Sequence, residues 1–322
     1  MTKTKNIFKL ALLLWLVYFI GVPRPGFSAE KLKYGTAVKF GTSFALPALA
    51  AEEKGFWKAE GLDVEWIPFQ GGAQFNAALV AGHLKIGAAT ATGMFEAAAR
   101  GIPVMMLYLL PGPDRYRISV RADSLLKEPQ DLKGAKLGII RYGSISHAYA
   151  RAAAKALKLE GQVKMVAVGG IPVGHAALRS GAIDAWLETE FTASMEAVKG
   201  LARRLVNVEG YVPQERVSYV VVAHKEFVKT SPALVKRIVS AISHASLFII
   251  ANPDWAVAKL KTELGLTEEG AREEHRLFSL SKYGRIEKTA LENLTHFLVE
   301  YGLASKEKMP RLEDIYTNEF VP

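Results

Sequence analysis

The chain has 322 residues, 50% of them apolar and 23% charged, which is ordinary for a soluble globular protein and too long for one small core. It contains no cysteine, so disulfides, thiolate metal sites and cysteine nucleophiles are excluded. The formal charge of +9 is scattered among interleaved acids, and no basic run alternates with aromatics, so nucleic-acid binding has no support.

The first residues read as a secretory signal. Lys3, Lys5 and Lys9 precede an uncharged stretch over 10–22, followed by Pro23, Arg24, Pro25 and Gly26 and then the small residues Ser28 and Ala29. That apolar stretch is 13 residues long. It falls short of the roughly 18–20 that cross a bilayer as a stable helix. Cleavage is expected after Ser28, with Ala29 as the neighbouring choice, which makes 1–28 a signal peptide and predicts a periplasmic location. Lys3, Lys5, Lys9 and Arg24 leave with it, so +9 less those four charges gives +5 for the exported chain.

From there strand-like and helix-like segments alternate. A strand is predicted over 32–38 and a helix over 46–53, stopped by Gly55. A strand over 62–67 follows, then a helix over 73–80 ended by Gly82. A short strand over 85–88, a helix over 94–100 ended by Gly101 and an apolar strand over 104–110 complete the set. A second set follows a strand-like crossing at 117–120. It has strands over 136–140, 163–168, 185–187 and 202–207, and helices over 175–179 and 192–199. Its long helix opens near Ser144 and presents Ile145, Tyr149, Ala152, Ala156 and Leu159 on one face. After a β-prone crossing at 217–223 the chain turns helical. One helix has Pro232 in its first turn and the face Leu234, Ile238, Ile242, Ala245 and Ile249. Another carries Leu291, Leu294, Leu298 and Tyr301 and stops at Gly302.

This βα alternation predicts an α/β fold of two lobes, each a mainly parallel sheet covered by helices, with a ligand cleft between them. Lobe 1 is expected over 29–118 plus 216–322 and lobe 2 over 119–215. Two crossings imply a hinge. No Walker A loop, GxGxxG, GxSxG elbow or HExxH is present, and the seven histidines are dispersed without an i, i+4 pair. The chain is therefore expected not to be an enzyme, and to carry no catalytic residue, metal or cofactor. Glu273, Glu274 and His275 read as a solvated helix face.

Four polar loops follow strands and open helices: Gln70-Gly71-Gly72-Ala73-Gln74, Thr90-Ala91-Thr92-Gly93, Tyr142-Gly143-Ser144-Ile145-Ser146, and Gly169-Gly170-Ile171-Pro172-Val173-Gly174. A helix start at the carboxyl end of a strand points unpaired N–H groups at any ligand. The expected ligand-binding residues are Gly72, Gln74, Thr90 and Thr92 from lobe 1, and Tyr142, Ser144, Ser146 and Glu190 from lobe 2. Phe40 is added as an apolar wall and Thr42 as a hydroxyl donor. Ser144 is expected to cap its helix and to donate to the ligand if it faces the cleft.

An ordered set of segments carries a family resemblance. It comprises Ala50-Ala51-Glu52-Glu53-Lys54-Gly55-Phe56-Trp57-Lys58-Ala59-Glu60-Gly61-Leu62-Asp63-Val64, Ala77-Ala78-Leu79-Val80-Ala81-Gly82-His83-Leu84-Lys85-Ile86-Gly87, Asp131-Leu132-Lys133-Gly134-Ala135-Lys136-Leu137-Gly138, and Leu178-Arg179-Ser180-Gly181-Ala182-Ile183-Asp184-Ala185-Trp186. The chain resembles the substrate-binding proteins of nitrate, sulfonate, taurine and bicarbonate ABC transporters, a group that includes thiamine-precursor binders. The resemblance implies a type II periplasmic binding protein fold. It also implies a monomer that binds a small solute and hands it to a membrane permease and ATPase.

Two departures stand out. Lys85 stands where the family usually has Asp, at a position more structural than ligand-binding. Glu188-Thr189-Glu190-Phe191 stands where many relatives carry an aromatic, an acid and a proline. A carboxylate there that faces the cleft favours a donor-rich or positive ligand over nitrate or sulfonate; one that caps the next helix does not. The ligand class thus stays open between nitrate-, sulfonate- or taurine-like solutes and small aromatics or pyrimidines. A solute sensor subunit is one alternative. An enzyme of thiamine-precursor or small-acid dehydratase type is the other; the cysteine-rich stretch of fungal thiamine-precursor synthases is missing, and Glu188, Glu190 and His147 are the only acid–base candidates for it.

Overall fold

The computed structural model describes residues 29–38, 41–69, 71–112, 115–212 and 217–322. The segment 1–28, with its signal-peptide reading, and Phe40 lie outside the described residues.

The first part of the chain alternates strand and helix: β1 (Glu30–Thr36), α1 (Thr42–Glu53), the short α2 (Phe56–Ala59), β2 (Leu62–Pro68), α3 (Gly72–Val80), β3 (Ile86–Thr90), α4 (Ala91–Ala99) and β4 (Val104–Leu109). The chain then crosses. Next come β5 (Tyr116–Arg121), β6 (Lys136–Ile139), α5 (Ile145–Ala156), β7 (Lys164–Ala167), α6 (Ile171–Ser180), β8 (Ala185–Thr189), α7 (Glu190–Val198) and β9 (Ala202–Asn207). It crosses back into β10 (Tyr219–His224) and ends in α8 (Lys225–Thr230), α9 (Pro232–Ala251), α10 (Pro253–Thr262), α11 (Glu268–Leu280) and α12 (Lys288–Glu300).

Two five-stranded sheets result, in the orders β2-β1-β3-β10-β4 and β7-β6-β8-β5-β9. In each sheet one strand runs against the rest. β10 is antiparallel to β3 and β4, and β5 is antiparallel to β8 and β9. These are the two strands that follow the crossings. The parallel strands end at the cleft, so a chain arriving from the opposite lobe enters at that edge and must run away from it. Tyr116, Arg117 and Ile118, assigned by sequence to the first lobe, pair with Thr189, Glu188 and Leu187 in the second sheet, so the crossing lies ahead of them.

Alternating side chains separate the two faces of each sheet. One face of the first sheet packs on α1 and α9, burying Leu46, Val235, Ile238, Ile242 and Ile249. Its other face packs Phe75, Phe95 and Val222 with Leu291, Leu294 and Leu298 of α12. In the second sheet, Ile118, Val120, Leu137 and Leu187 face Tyr149 and Ala152 of α5. Arg117, Ser119, Trp186 and Glu188 alternate with these and point to the opposite face. There α6 comes so close that a Cβ on Gly174 would lie 2.4 Å from the Trp186 ring.

The lobes also touch away from the cleft. Phe297 and Tyr301, at the end of α12, join the second lobe's core. Arg151 donates to the Tyr301 carbonyl at 2.9 Å, and Lys155 pairs with Glu300 at 2.8 Å. Phe191 of α7, in turn, is buried within the first lobe's core.

Candidate ligand site between the lobes

Each lobe has a helix that starts on a side-chain cap directly after a strand. The Thr90 side chain caps α4, accepting from the Gly93 amide at 3.2 Å and from the Thr92 hydroxyl at 3.3 Å. Both contacts fall on the Thr90 oxygen, so its proton is left to donate. α4 begins at Ala91, ahead of the helix predicted from 94, because Thr90 supplies the cap; Thr92 therefore lies in the first turn. In the other lobe, Ser144 caps α5 and accepts from the His147 amide at 3.4 Å. One long contact links the two segments: Glu96, in the second turn of α4, lies 3.9 Å from Arg141, whose carbonyl receives the Ser144 hydroxyl at 2.7 Å.

That last bond decides what Ser144 can do. Its single proton goes to Arg141, so the 2.8 Å contact between Ser144 Oγ and Ser146 Oγ must have Ser146 as donor. Ser146 Oγ in turn accepts from the Ile140 amide at 3.0 Å. Both serines are buried. Ser144 is the expected cap, but both hydroxyl protons staple the loop, so neither is left to donate elsewhere. Tyr142 leans away, its hydroxyl donating to the Met165 carbonyl at 2.7 Å and its ring set edge-on to His147. It lines a surface groove of about 480 Å³ with Arg151, Glu160 and Met165. Gly72 and Gln74 sit exposed at the start of α3.

A second polar group fills the cleft floor and joins residues distant in sequence. Thr42, buried at the start of α1, donates to Glu274 of α11 at 2.7 Å. Burial holds the Glu274 carboxyl above the ordinary range, against the lowering pull of the Thr42 bond and of Arg117. Glu274 and His275 are therefore not a solvated face. α11 turns them inward, and His275 Nε2 meets the Ile249 carbonyl at 2.9 Å.

Arg117, the second residue of β5, lies opposite Glu188 of β8. Burial, then Arg204, pull its guanidinium down to about 10, while Glu188, Glu209 and Glu274 work the other way; it stays charged at neutral pH. Glu190 is the first residue of α7, with Thr189 as the cap, and it pairs with Arg117 and, at 3.5 Å, with Arg204. Two guanidiniums neutralise it, so it sets no bare negative charge against a ligand. Glu188 Oε2 meets His175 Nε2 at 2.6 Å, and His175 Nδ1 lies 3.7 Å from Glu196. The acid–base grouping of Glu188, Glu190 and His147 is not assembled. Glu188 points to the α6 face, whereas His147 sits on α5 across the sheet, its Nδ1 receiving the Gly143 amide at 3.2 Å.

Sequence reasoning missed Arg117, Arg204, His175 and Glu274. One signal was present: Arg117 interrupts an apolar strand, and a charge in a buried strand needs a partner.

The NMT1/THI5-like family model matches residues 43–256, well over half of the chain. The chain belongs to this family. A Brucella abortus relative, known only as a binding protein, is 28% identical over 209 residues, a match that covers 64% of this chain and 64% of that protein. The structure resembles SsuA of Escherichia coli, a periplasmic aliphatic sulphonate binding protein, with TM-score 0.75 and 19% identity over 89% of this chain and 92% of that one. It also resembles the periplasmic nitrate-binding protein NrtA of Synechocystis, with TM-score 0.69 and 14% identity over 91% of this chain and 87% of that one. The fold is that of periplasmic binding proteins: two mixed sheets covered by helices.

Proposed function

We propose that the protein is the solute-binding component of an ABC import system. It is exported by means of residues 1–28, takes a small solute between its lobes, closes on it and presents it to a membrane permease with its ATPase. The observation that carries this reading is the layout of two helix-covered sheets joined by two crossings, with helix starts capped by Thr90 and Ser144 following strands of different sheets and Glu96 reaching Arg141 between them. Helix N-termini gather acceptor groups, and a ligand touching both lobes favours the closed form.

The lobes divide ahead of Tyr116 and beyond Val212. The solute is of nitrate, sulfonate or taurine type, or a small aromatic or pyrimidine. Thr90, Thr92, the amides behind Ser144 and Ser146, Thr42 and Glu190 line its site, with Phe40 as a wall and Gly72 and Gln74 at the rim. The sulphonate and nitrate binding of the proteins it resembles supports the solute range, and the Brucella relative supports binding as the task.

A thermal-shift panel tests it: nitrate, bicarbonate, sulfonates, pyrimidines and aromatic carboxylates. A solute at a hundred times its Kd stabilises a protein by about 2.7 kcal/mol, a shift that is easily read. One or more panel members should raise the melting temperature, saturably. A flat response across the panel contradicts the proposal.

A further inference from the structure

One helix belongs to both lobes. The chain is tied to β4 of the first lobe on either side of α12. Ahead of it, Gly284 and Leu109 exchange backbone bonds at 2.8 Å; beyond it, the Met106 amide donates to the Ile315 carbonyl at 2.8 Å. Between these ties, Leu291, Leu294 and Leu298 are buried in the first lobe's core. Phe297 and Tyr301, four residues apart and so on one helix face, are buried in the second lobe's core instead. The last turn of α12 is an arm of lobe 1 seated in lobe 2.

The seat holds the arm in three ways. Tyr149 of α5 packs on the Phe297 ring with centroids 5.3 Å apart, and Phe297 packs on Tyr301 at 4.9 Å. Arg151 lays its guanidinium over the Tyr301 ring at 5.7 Å and donates to the Tyr301 carbonyl at 2.9 Å. Tyr301 is the residue that ends α12, so its carbonyl has no partner within the helix, and a cation of the other lobe takes it. Lys155 adds the ion pair with Glu300 at 2.8 Å.

The place of the seat gives it a role. Tyr116 opens β5 directly after the outward crossing, and its ring stacks on Tyr149 at 4.2 Å. Val212, from which the chain returns to lobe 1, is buried in the same cluster. Both crossings and the arm therefore meet in one packed group. When two bodies rotate, a point moves by the angle times its distance from the axis. Rings packed beside the crossings move little, whereas close packing resists any sliding or twist that would pull them apart. The Glu96–Arg141 contact, by comparison, is a single ion pair at 3.9 Å between exposed segments.

We propose that the end of α12 is a third, non-covalent hinge element. Seated beside both crossings, it holds the axis of lobe rotation in place and opposes the twisting that two crossings alone leave free. The device concerns the motion of the lobes and does not rest on which solute the cleft takes.

The test is made on the protein without ligand. The chain has no cysteine, so a pair of labels can be placed without background. His83→Cys in lobe 1 and Lys133→Cys in lobe 2, both exposed positions, carry nitroxides, and pulsed electron resonance reads the distribution of distances between the lobes. Tyr301→Ala removes a ring from the seat and should widen that distribution roughly twofold. Arg151→Gln keeps the rings and weakens the bond to the Tyr301 carbonyl, so it should widen the distribution less, in the same direction. Leu137→Ala opens a cavity in the same core, on a strand that neither crossing enters, and should leave the width at the parent's value. An unchanged width in a Tyr301→Ala variant that melts cooperatively overturns the proposal, and so does equal widening in Leu137→Ala. If Tyr301→Ala does not fold, Arg151→Gln decides by the same two outcomes. A flat response of the parent to the thermal panel would overturn the solute-binding reading and leave this one standing.

Discussion

At Thr90 and Ser144 the polar groups are satisfied within the same turn of chain: each hydroxyl receives an amide three residues on. At the cleft floor they are satisfied across the molecule. Thr42 reaches Glu274 over a separation of 232 residues, and Arg117 meets Glu190 only because β5 enters the second sheet beside β8. In the first region the loss of one bond disturbs a single turn of chain. The second joins separate elements and carries buried charges, so each depends on the others.

Arg117→Met tests that contrast most severely. It leaves Glu188 and Glu190 beside one guanidinium fewer, and breaking a buried pair costs about 3–5 kcal/mol. Urea unfolding should show a loss in that range. A loss below about 1 kcal/mol would mean the cluster is wetter than its burial implies.

Glu274→Gln comes next, with a sign that depends on pH. Burial raises this carboxyl in the folded state, so between its ordinary value and the raised one the folded protein holds the extra proton. The stability it withholds is therefore restored as pH falls through the raised value. The Gln variant, neutral at every pH and able to accept from Thr42, should exceed the parent at about pH 8, and the gap should close toward about pH 5. A gap that is constant with pH would place the Glu274 carboxyl in the ordinary range.

The caps should cost less. Thr90→Ala and Ser144→Ala each remove a side-chain acceptor from a helix start, worth about 1 kcal/mol in chemical denaturation. Arg141→Gln should cost the least. Its ion pair with Glu96 is long, at 3.9 Å, and Arg141 is well exposed, so a change of more than about 1 kcal/mol would be surprising.

The same contrast explains what could be read in advance. Strand and helix alternation, the two crossings and the mostly parallel sheets were legible from periodicity and glycine stops, because those signals are local. So was the cap at Ser144, whereas the cap at Thr90 starts its helix three residues ahead of the expected 94. The reversed direction of β5 and β10 follows from the route of the whole chain and has no residue-level mark. Glu274 and His275 looked solvated because their partners lie in α1, β5 and α9. Glu190 looked like a bare carboxylate because nothing near it in sequence announces Arg117 and Arg204. The donor role expected of Ser144 depended on where one proton goes, and Arg141 takes it.

The central claim, that the two lobes form a cleft that closes on a small solute, is tested most directly by small-angle scattering. The protein is measured alone and with a saturating concentration of the solute that shifts its melting most. Closure about two crossings should lower the radius of gyration while the mass stays that of one chain. An unchanged radius with binding proven by calorimetry would contradict it.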